Sequence, residues 1–152
     1  MIKSSDLIDE KIVFTDRITR SAYARDASMY RLMPESVVKP RNIHDVRNLL
    51  EFANASKTPV TFRAGGTSLS GQSVSNSIIA EILHNWKKFK ILDNGKSIHL
   101  EPGVVAAHAN SFLSPYKTKL GPDPASINSA TIGGILSNNS SGMVCGTEFN
   151  AY

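Results

Sequence analysis

Pro59-Val60-Thr61-Phe62-Arg63-Ala64-Gly65-Gly66-Thr67-Ser68-Leu69-Ser70-Gly71-Gln72 decides how the rest of the chain is read. The run Pro59 to Phe62 carries β-branched and aromatic residues and predicts a strand. The stretch it enters is nearly free of side chains larger than a hydroxyl. A loop this bare lets successive backbone N–H groups converge on one oxyanion. Because a charge-assisted hydrogen bond contributes about 1.5–3 kcal/mol, three or four of them hold a diphosphate without a dedicated lysine. The stretch therefore predicts a phosphate or nucleotide ligand. Glycine-rich loops are common, and a turn with no ligand is the alternative.

The chain has 152 residues, enough for one domain or part of one with a real core. With 41% hydrophobic and 20% charged residues, its composition is that of an ordinary globular protein and excludes disorder. The net charge of +4 is dispersed: Arg17, Arg20, Arg25 and Arg31 lie near the start, and Lys87, Lys88, Lys90 and Lys96 beyond the middle. A nucleic-acid footprint needs basic residues clustered on one face with aromatic readers, and aromatics are only 7%. No nucleic-acid partner is expected. A single cysteine, Cys145, excludes an internal disulfide and a cysteine-based metal cluster, which places the chain in a reducing compartment. No apolar run approaches the length of a membrane span and no secretory leader is visible, so a cytoplasmic location is expected.

Along the chain, Leu7, Ile8, Ile12, Val13 and Ile18 fall loosely at helical spacing, so residues 1–30 read as a helical lead-in ending in Tyr23-Ala24-Arg25-Asp26-Ala27-Ser28. Residues 31–152 read as the domain proper. Pro34 and Pro40 bracket a short strand, Val37-Val38-Lys39. Asn42 caps a helix running to about Lys57, with Asp45 in its first turn and Ile43, Val46, Leu50 and Ala53 as its apolar stripe. After the bare loop, residues 77–82 form a strand. Lys90 to Asp93 and Ser97 to Glu101 flank Asn94-Gly95, a hairpin signal. Pro102-Gly103-Val104 leads into a helix over about Val105 to Leu113, stopped by Pro115. The resulting class is α+β, a small mixed sheet with flanking helices. This order is not the alternation of a Rossmann domain, and no P-loop motif is present.

A second small-residue cluster follows: Gly121-Pro122-Asp123-Pro124-Ala125-Ser126, then Ala130-Thr131-Ile132-Gly133-Gly134-Ile135-Leu136-Ser137-Asn138-Asn139-Ser140-Ser141-Gly142. A short helix from about Thr131 would offer free N–H groups and its positive end to an anion, with Gly133 and Gly134 allowing close approach. Two small-residue loops would then face one ligand. The alternatives are tight helix packing at Gly133 and Gly134 and a solvated helix end at Asn138 to Ser141.

Taken together, Arg63-Ala64-Gly65-Gly66-Thr67-Ser68, Glu101-Pro102-Gly103-Val104, Asp123-Pro124-Ala125-Ser126 and Ala130-Thr131-Ile132-Gly133-Gly134 resemble the PCMH-type FAD-binding domain of the vanillyl-alcohol oxidase and p-cresol methylhydroxylase flavoproteins. The nearest branch is the FAD-linked D-lactate, glycolate and D-2-hydroxyglutarate dehydrogenases. The likeness runs from about Tyr23 to the end and covers the first subdomain of that domain.

The resemblance implies that Arg63, Ala64, Gly65, Gly66, Thr67 and Ser68, with Gly71, wrap the FAD pyrophosphate through main-chain N–H groups, Thr67 and Ser68 adding hydroxyl donors. Ala125, Ser126, Ala130 and Thr131 would line the ribityl and flavin side. Gly133, Gly134, Asn138, Asn139, Ser140 and Ser141 would complete the cradle. Several relatives tether FAD through a histidine where this chain has Thr67, so non-covalent FAD is expected. The family's flavin domain continues beyond the point where this chain stops, and a cap domain supplies the substrate-binding groups. No catalytic residue and no metal ligand is therefore assigned here, and the residues present neither support nor exclude an iron–sulphur cluster in a downstream region. His44, His84, His99 and His108 read as structural or solvated, and Cys145 as incidental.

For the whole enzyme the resemblance implies oxidation of a small D-2-hydroxy acid by hydride transfer to flavin N5, an electron acceptor as second partner, and a cytoplasmic site or peripheral attachment to the inner membrane. The piece alone would turn over little. The competing readings are a nucleotide- or phosphate-binding module without chemistry, a basic nucleic-acid binder, and the flavin reductase of cell-wall precursor synthesis, against which the Asp123-Pro124-Ala125-Ser126 block argues.

Overall fold

A computed structural model describes residues 8–143 and residue 148; Leu7, Cys145 and Asn150-Ala151-Tyr152 lie outside the described residues. The chain forms two compact units, Met1–Asn85 and Trp86–Tyr152.

The first unit is built on a mixed sheet whose spatial order is β1 (Val13–Phe14), β2 (Ser36–Val38), β4 (Ile78–Glu81) and β3 (Val60–Arg63). β4 runs parallel to both neighbours, pairing Val37 with Ile79 and Phe62 with Ala80, while β1 is antiparallel to β2. All of β4 is buried. A strand covered on both faces needs no polar alternation, which is why Ile78-Ile79-Ala80 reads as a continuous apolar run. Parallel neighbours need a crossover. Between β2 and β3 that crossover is the helix α2 (Ile43–Ser56). Between β3 and β4 the connection, residues 64–77, contains no helix, and it carries the bare loop at the carboxyl end of β3.

α2 begins where the sequence places it. The Asn42 side chain accepts from the His44 and Asp45 amides at 2.9 and 3.0 Å. Asp45 in turn accepts from the Arg41 amide and from its Nε at 2.9 and 3.0 Å. The Arg41 side-chain bond holds the Asp45 carboxyl below its ordinary range, against the opposing effect of burial. The helix ends at Lys57, which adopts a left-handed conformation (φ 56°) and donates to Ala53 O. The buried stripe differs from the expected one. Leu49 and Ala53 are buried, whereas Ile43 is 60% and Leu50 45% exposed. The adjacent pair Leu49-Leu50 makes two stripes equally periodic, and the sheet selects the one that packs on Val38, Ile78 and Ala80.

The lead-in also differs from a plain helix. Among its described residues, Glu10–Ile12 is a single 3-10 turn, Val13–Phe14 forms the antiparallel edge β1, and only Arg17–Ala22 is α-helical (α1). Ile8 and Ile12 belong to the core cluster of the sheet, so this segment is part of the first unit's packing.

In the second unit, β5 (Phe89–Leu92) and β6 (Ser97–Leu100) form the expected hairpin, and α3 (Ala106–Leu113) follows it. Phe89 and Phe112 stack at 3.8 Å between ring centroids. A short helix, α4 (Ile132–Ser137), packs through Ile135 on Ala106 and Ala130.

The two stripes of α2 are separable by mutation. Leu49→Ala is expected to cost about 2–5 kcal/mol in urea unfolding, and Leu50→Ala about 0.5 kcal/mol or less. The reverse order would put Leu50 in the core.

Candidate dinucleotide-binding site

The loop after β3 has an unequal distribution of used and unused backbone groups. Among the described residues, the N–H groups of Ala64 through Leu69 donate to no protein acceptor. The next amides are used: those of Ser70 and Gln72 both end on Ser68 Oγ at 3.2 Å, and the Ser68 hydroxyl itself donates to Gln72 Oε1. Ser68 therefore shapes the loop and does not offer a free hydroxyl donor. The Thr67 hydroxyl makes no hydrogen bond among the described residues. Residues 64–72 contain no carboxylate. A half-exposed run of unspent donors without an acid among them suits a diphosphate and repels a cation.

Arg63 is not part of the donor array in the way its position suggests. Its guanidinium donates to the carbonyls of Tyr23 (3.0 Å), Arg25 (2.7 Å) and Ser73 (3.5 Å), and it lies over the Tyr23 ring at 5.3 Å. Burial lowers its pKa, while Asp26, Tyr23 and Glu81 pull in the opposite direction. Gly66 sits against this guanidinium: it has φ +66°, and a Cβ there would come within 2.6 Å of Arg63 Nη2. Asp26 accepts from the Ser28 amide at 2.9 Å and from Ser73 Oγ at 3.0 Å. Burial raises the Asp26 pKa, yet the bond from the Ser28 hydroxyl, followed by those from the Ser28 amide and Ser73, outweighs it and the net shift is downward. Sequence reasoning missed Asp26 and Ser73. Asp26-Ala27-Ser28 has the form of an Asx turn, but nothing local reports a partner at residue 73.

In the second unit the expectation of free amides at the opening of α4 is not met. Thr131 is the N-cap and is 1% exposed, with Oγ1 accepting from the Gly134 amide at 3.4 Å. The Ile132 amide goes to Val104 O and the Gly133 amide to Pro102 O, each at 2.9 Å. The far end is equally closed. Asn139, at φ 49°, sends its amide to Leu136 O, and Ser140 bonds Ile135 O, the paired bonds of a Schellman cap with asparagine in the left-handed position. The Ser140 hydroxyl bonds the Asn138 side chain. These amides are thus spent within the second unit. The glycine pair divides accordingly: a Cβ on Gly133 would lie 2.7 Å from Pro102 Cβ, while one on Gly134 meets nothing nearer than Thr131 Oγ1 at 3.6 Å. Gly133 packs and Gly134 presents an open face. Ala130 is buried with Thr131, whereas Ala125, Asn138, Asn139 and Ser141 are exposed and Ser126 and Ser140 half-buried.

Residues 34–150 match the FAD binding domain family, and the chain belongs to it. Among its relatives, it is 30% identical over 138 residues to a D-2-hydroxyglutarate dehydrogenase of Haemophilus influenzae, spanning 86% of this chain and 13% of that protein. It is 31% identical over 122 residues to the glycolate oxidase subunit GlcD of Escherichia coli, spanning 78% of this chain and 24% of that one. In fold it resembles an alkyldihydroxyacetonephosphate synthase, with a TM-score of 0.76 at 19% identity over 89% of this chain and 28% of that one. The expected mixed sheet with flanking helices and the PCMH-type flavin domain both stand. The chain spans a quarter or less of the two curated relatives. Among the described residues no helix is long and apolar enough to cross a membrane.

The two glycines of α4 give a direct check on the packing. Gly133→Ala is expected to lower stability by about 1–3 kcal/mol, and Gly134→Ala to leave it unchanged or raise it by up to about 1 kcal/mol. Thermal unfolding of both variants reads the difference.

Proposed function

We propose that the chain holds FAD non-covalently, seating the diphosphate on the amides of Ala64 through Leu69, within a flavin-dependent oxidoreductase of small D-2-hydroxy acids of the D-lactate, glycolate or D-2-hydroxyglutarate class. The observation that carries the reading is the run of unspent N–H groups at the carboxyl end of β3 in a chain of the FAD-binding family. The names of the relatives support the substrate class.

Within this reading each segment has a distinct part. Ala64 to Leu69 binds charge, and Thr67 adds a hydroxyl where a tethering histidine would otherwise stand. The 125–141 segment, taken within its own unit, would contribute shape: Gly134 presents an open face and Ala125, Ser126, Asn138, Asn139 and Ser141 are exposed or half-buried, while Ala130, Thr131, Gly133 and Ser140 hold that surface in place. Bound FAD supplies a hydride acceptor at flavin N5. The residues of this chain bind and orient it, and the proton-abstracting group and the electron acceptor belong to the rest of the enzyme.

Titrating FAD into the protein is expected to quench flavin fluorescence, and acid or heat denaturation is expected to release all of the flavin from the chain. Yellow colour retained on the unfolded polypeptide would overturn non-covalent binding. Equal affinity for ADP and FAD would favour a module that reads only the nucleotide. Gly66→Ala, strained by its positive φ and pressed on Arg63, should weaken FAD roughly tenfold or more.

A further inference from the structure

We propose that residues Tyr23 to Leu32, which precede the region matched by the family, form a strap that sets the conformation of the dinucleotide loop, with Arg63 as the positioning residue that joins them. The proposal rests on the FAD reading of that loop and adds to it a group of residues that touch no ligand.

The strap is a closed unit of its own. Leu32 N donates to Ala24 O at 3.0 Å, and Arg25 and Arg31 form an antiparallel bridge. It grips the loop at both ends. At the entrance, Arg63 donates to the carbonyls of Tyr23 and Arg25, and the Ala27 amide donates to Gly66 O at 3.0 Å. At the exit, Ser73 Oγ donates to Asp26 Oδ2 at 3.0 Å, and the Tyr30 ring lies so close to Gly71 that a Cβ there would fall 2.6 Å from Tyr30 Cδ2.

The consequence for the ligand follows from the planarity of the peptide group. In a trans peptide the carbonyl and the next N–H point in opposite directions. Since the Gly66 carbonyl is drawn toward Ala27 of the strap, the Thr67 N–H is directed away from it. A donor on the strap thus consumes the Gly66 carbonyl and leaves the Thr67 N–H on the opposite side of that peptide. An arginine placed to contact phosphate would add one positive charge to the ligand's surroundings. Here the guanidinium is turned onto carbonyls, and its effect on binding passes through backbone geometry. Loops ordered before binding gain affinity because less freedom is lost on capture.

The test compares wild-type protein with Arg63→Ala and with the milder Ser73→Ala. FAD and ADP are titrated into each at several salt concentrations, with and without methylguanidinium, and amide hydrogen exchange is followed at Ala27 and at Ile79 of β4 without cofactor. Arg63→Ala should weaken FAD and ADP by the same factor, roughly tenfold or more, with the salt dependence unchanged, and methylguanidinium should restore part of the loss. Ser73→Ala should shift affinity in the same direction. In both variants exchange at Ala27 should accelerate while Ile79 stays protected. Variants that bind FAD as tightly as wild type, or an Arg63→Ala salt dependence shallower by one charge, would overturn the proposal. Wild-type protein that fails to bind FAD would overturn the cofactor reading alone, and unchanged exchange at Ala27 would then still refute the strap.

Discussion

The fork of hydrogen bonds from Arg63 to the carbonyls of Tyr23, Arg25 and Ser73 is the interaction on which the candidate site depends. A half-buried guanidinium is costly unless its donors are satisfied, and here three backbone oxygens accept from it. Meeting that requirement ties together stretches that are distant in sequence. It also explains the glycine at position 66, where a side chain would strike the guanidinium itself. The bare character of the loop thus has one cause inside the fold itself, which is room at Gly66 for the arginine that ends β3.

The two small-residue segments look alike as sequence and differ physically in where their amides go. In the loop after β3 the N–H groups of Ala64 to Leu69 have no protein partner among the described residues. Around α4 the amides of Ile132, Gly133, Gly134, Asn139 and Ser140 are all committed, to Val104, Pro102, Thr131, Leu136 and Ile135. A buried or half-buried N–H must be satisfied by something. The first segment leaves that to a ligand or water, while the second satisfies it within the fold. Glycine content reports only that backbone comes close to something, and whether that is an anion or Pro102 depends on a carbonyl elsewhere in the chain.

Features set by neighbours in sequence were legible. The Asn42 cap, the strand entering the loop, the hairpin around Asn94-Gly95 and the stop at Pro115 each follow from local conformational preferences, and each is present. What was not legible depended on distant partners. The stripe of α2 is chosen by Val38 and Ile78 between two periodic alternatives. β1 has only two residues and exists because β2 offers it an edge. Two of the three targets of Arg63, the Tyr23 and Arg25 carbonyls, lie about forty positions upstream, and a guanidinium aimed at carbonyls has the same one-letter code as one aimed at phosphate. The family resemblance named both segments alike, and it could not tell which of their amides the fold had already used.

The crossover between β3 and β4 has no helix to brace it. Joining two parallel strands through an unsupported connection charges the folded state the entropy of closing that span, and the closure is held by a few bonds to the strap. An anion clasped by the same span would act as a clip across it, so that cofactor loading and the mechanical integrity of the sheet rise and fall together. A flavin-free chain would then be the form most exposed to proteases, and its turnover in the cell would follow the supply of cofactor.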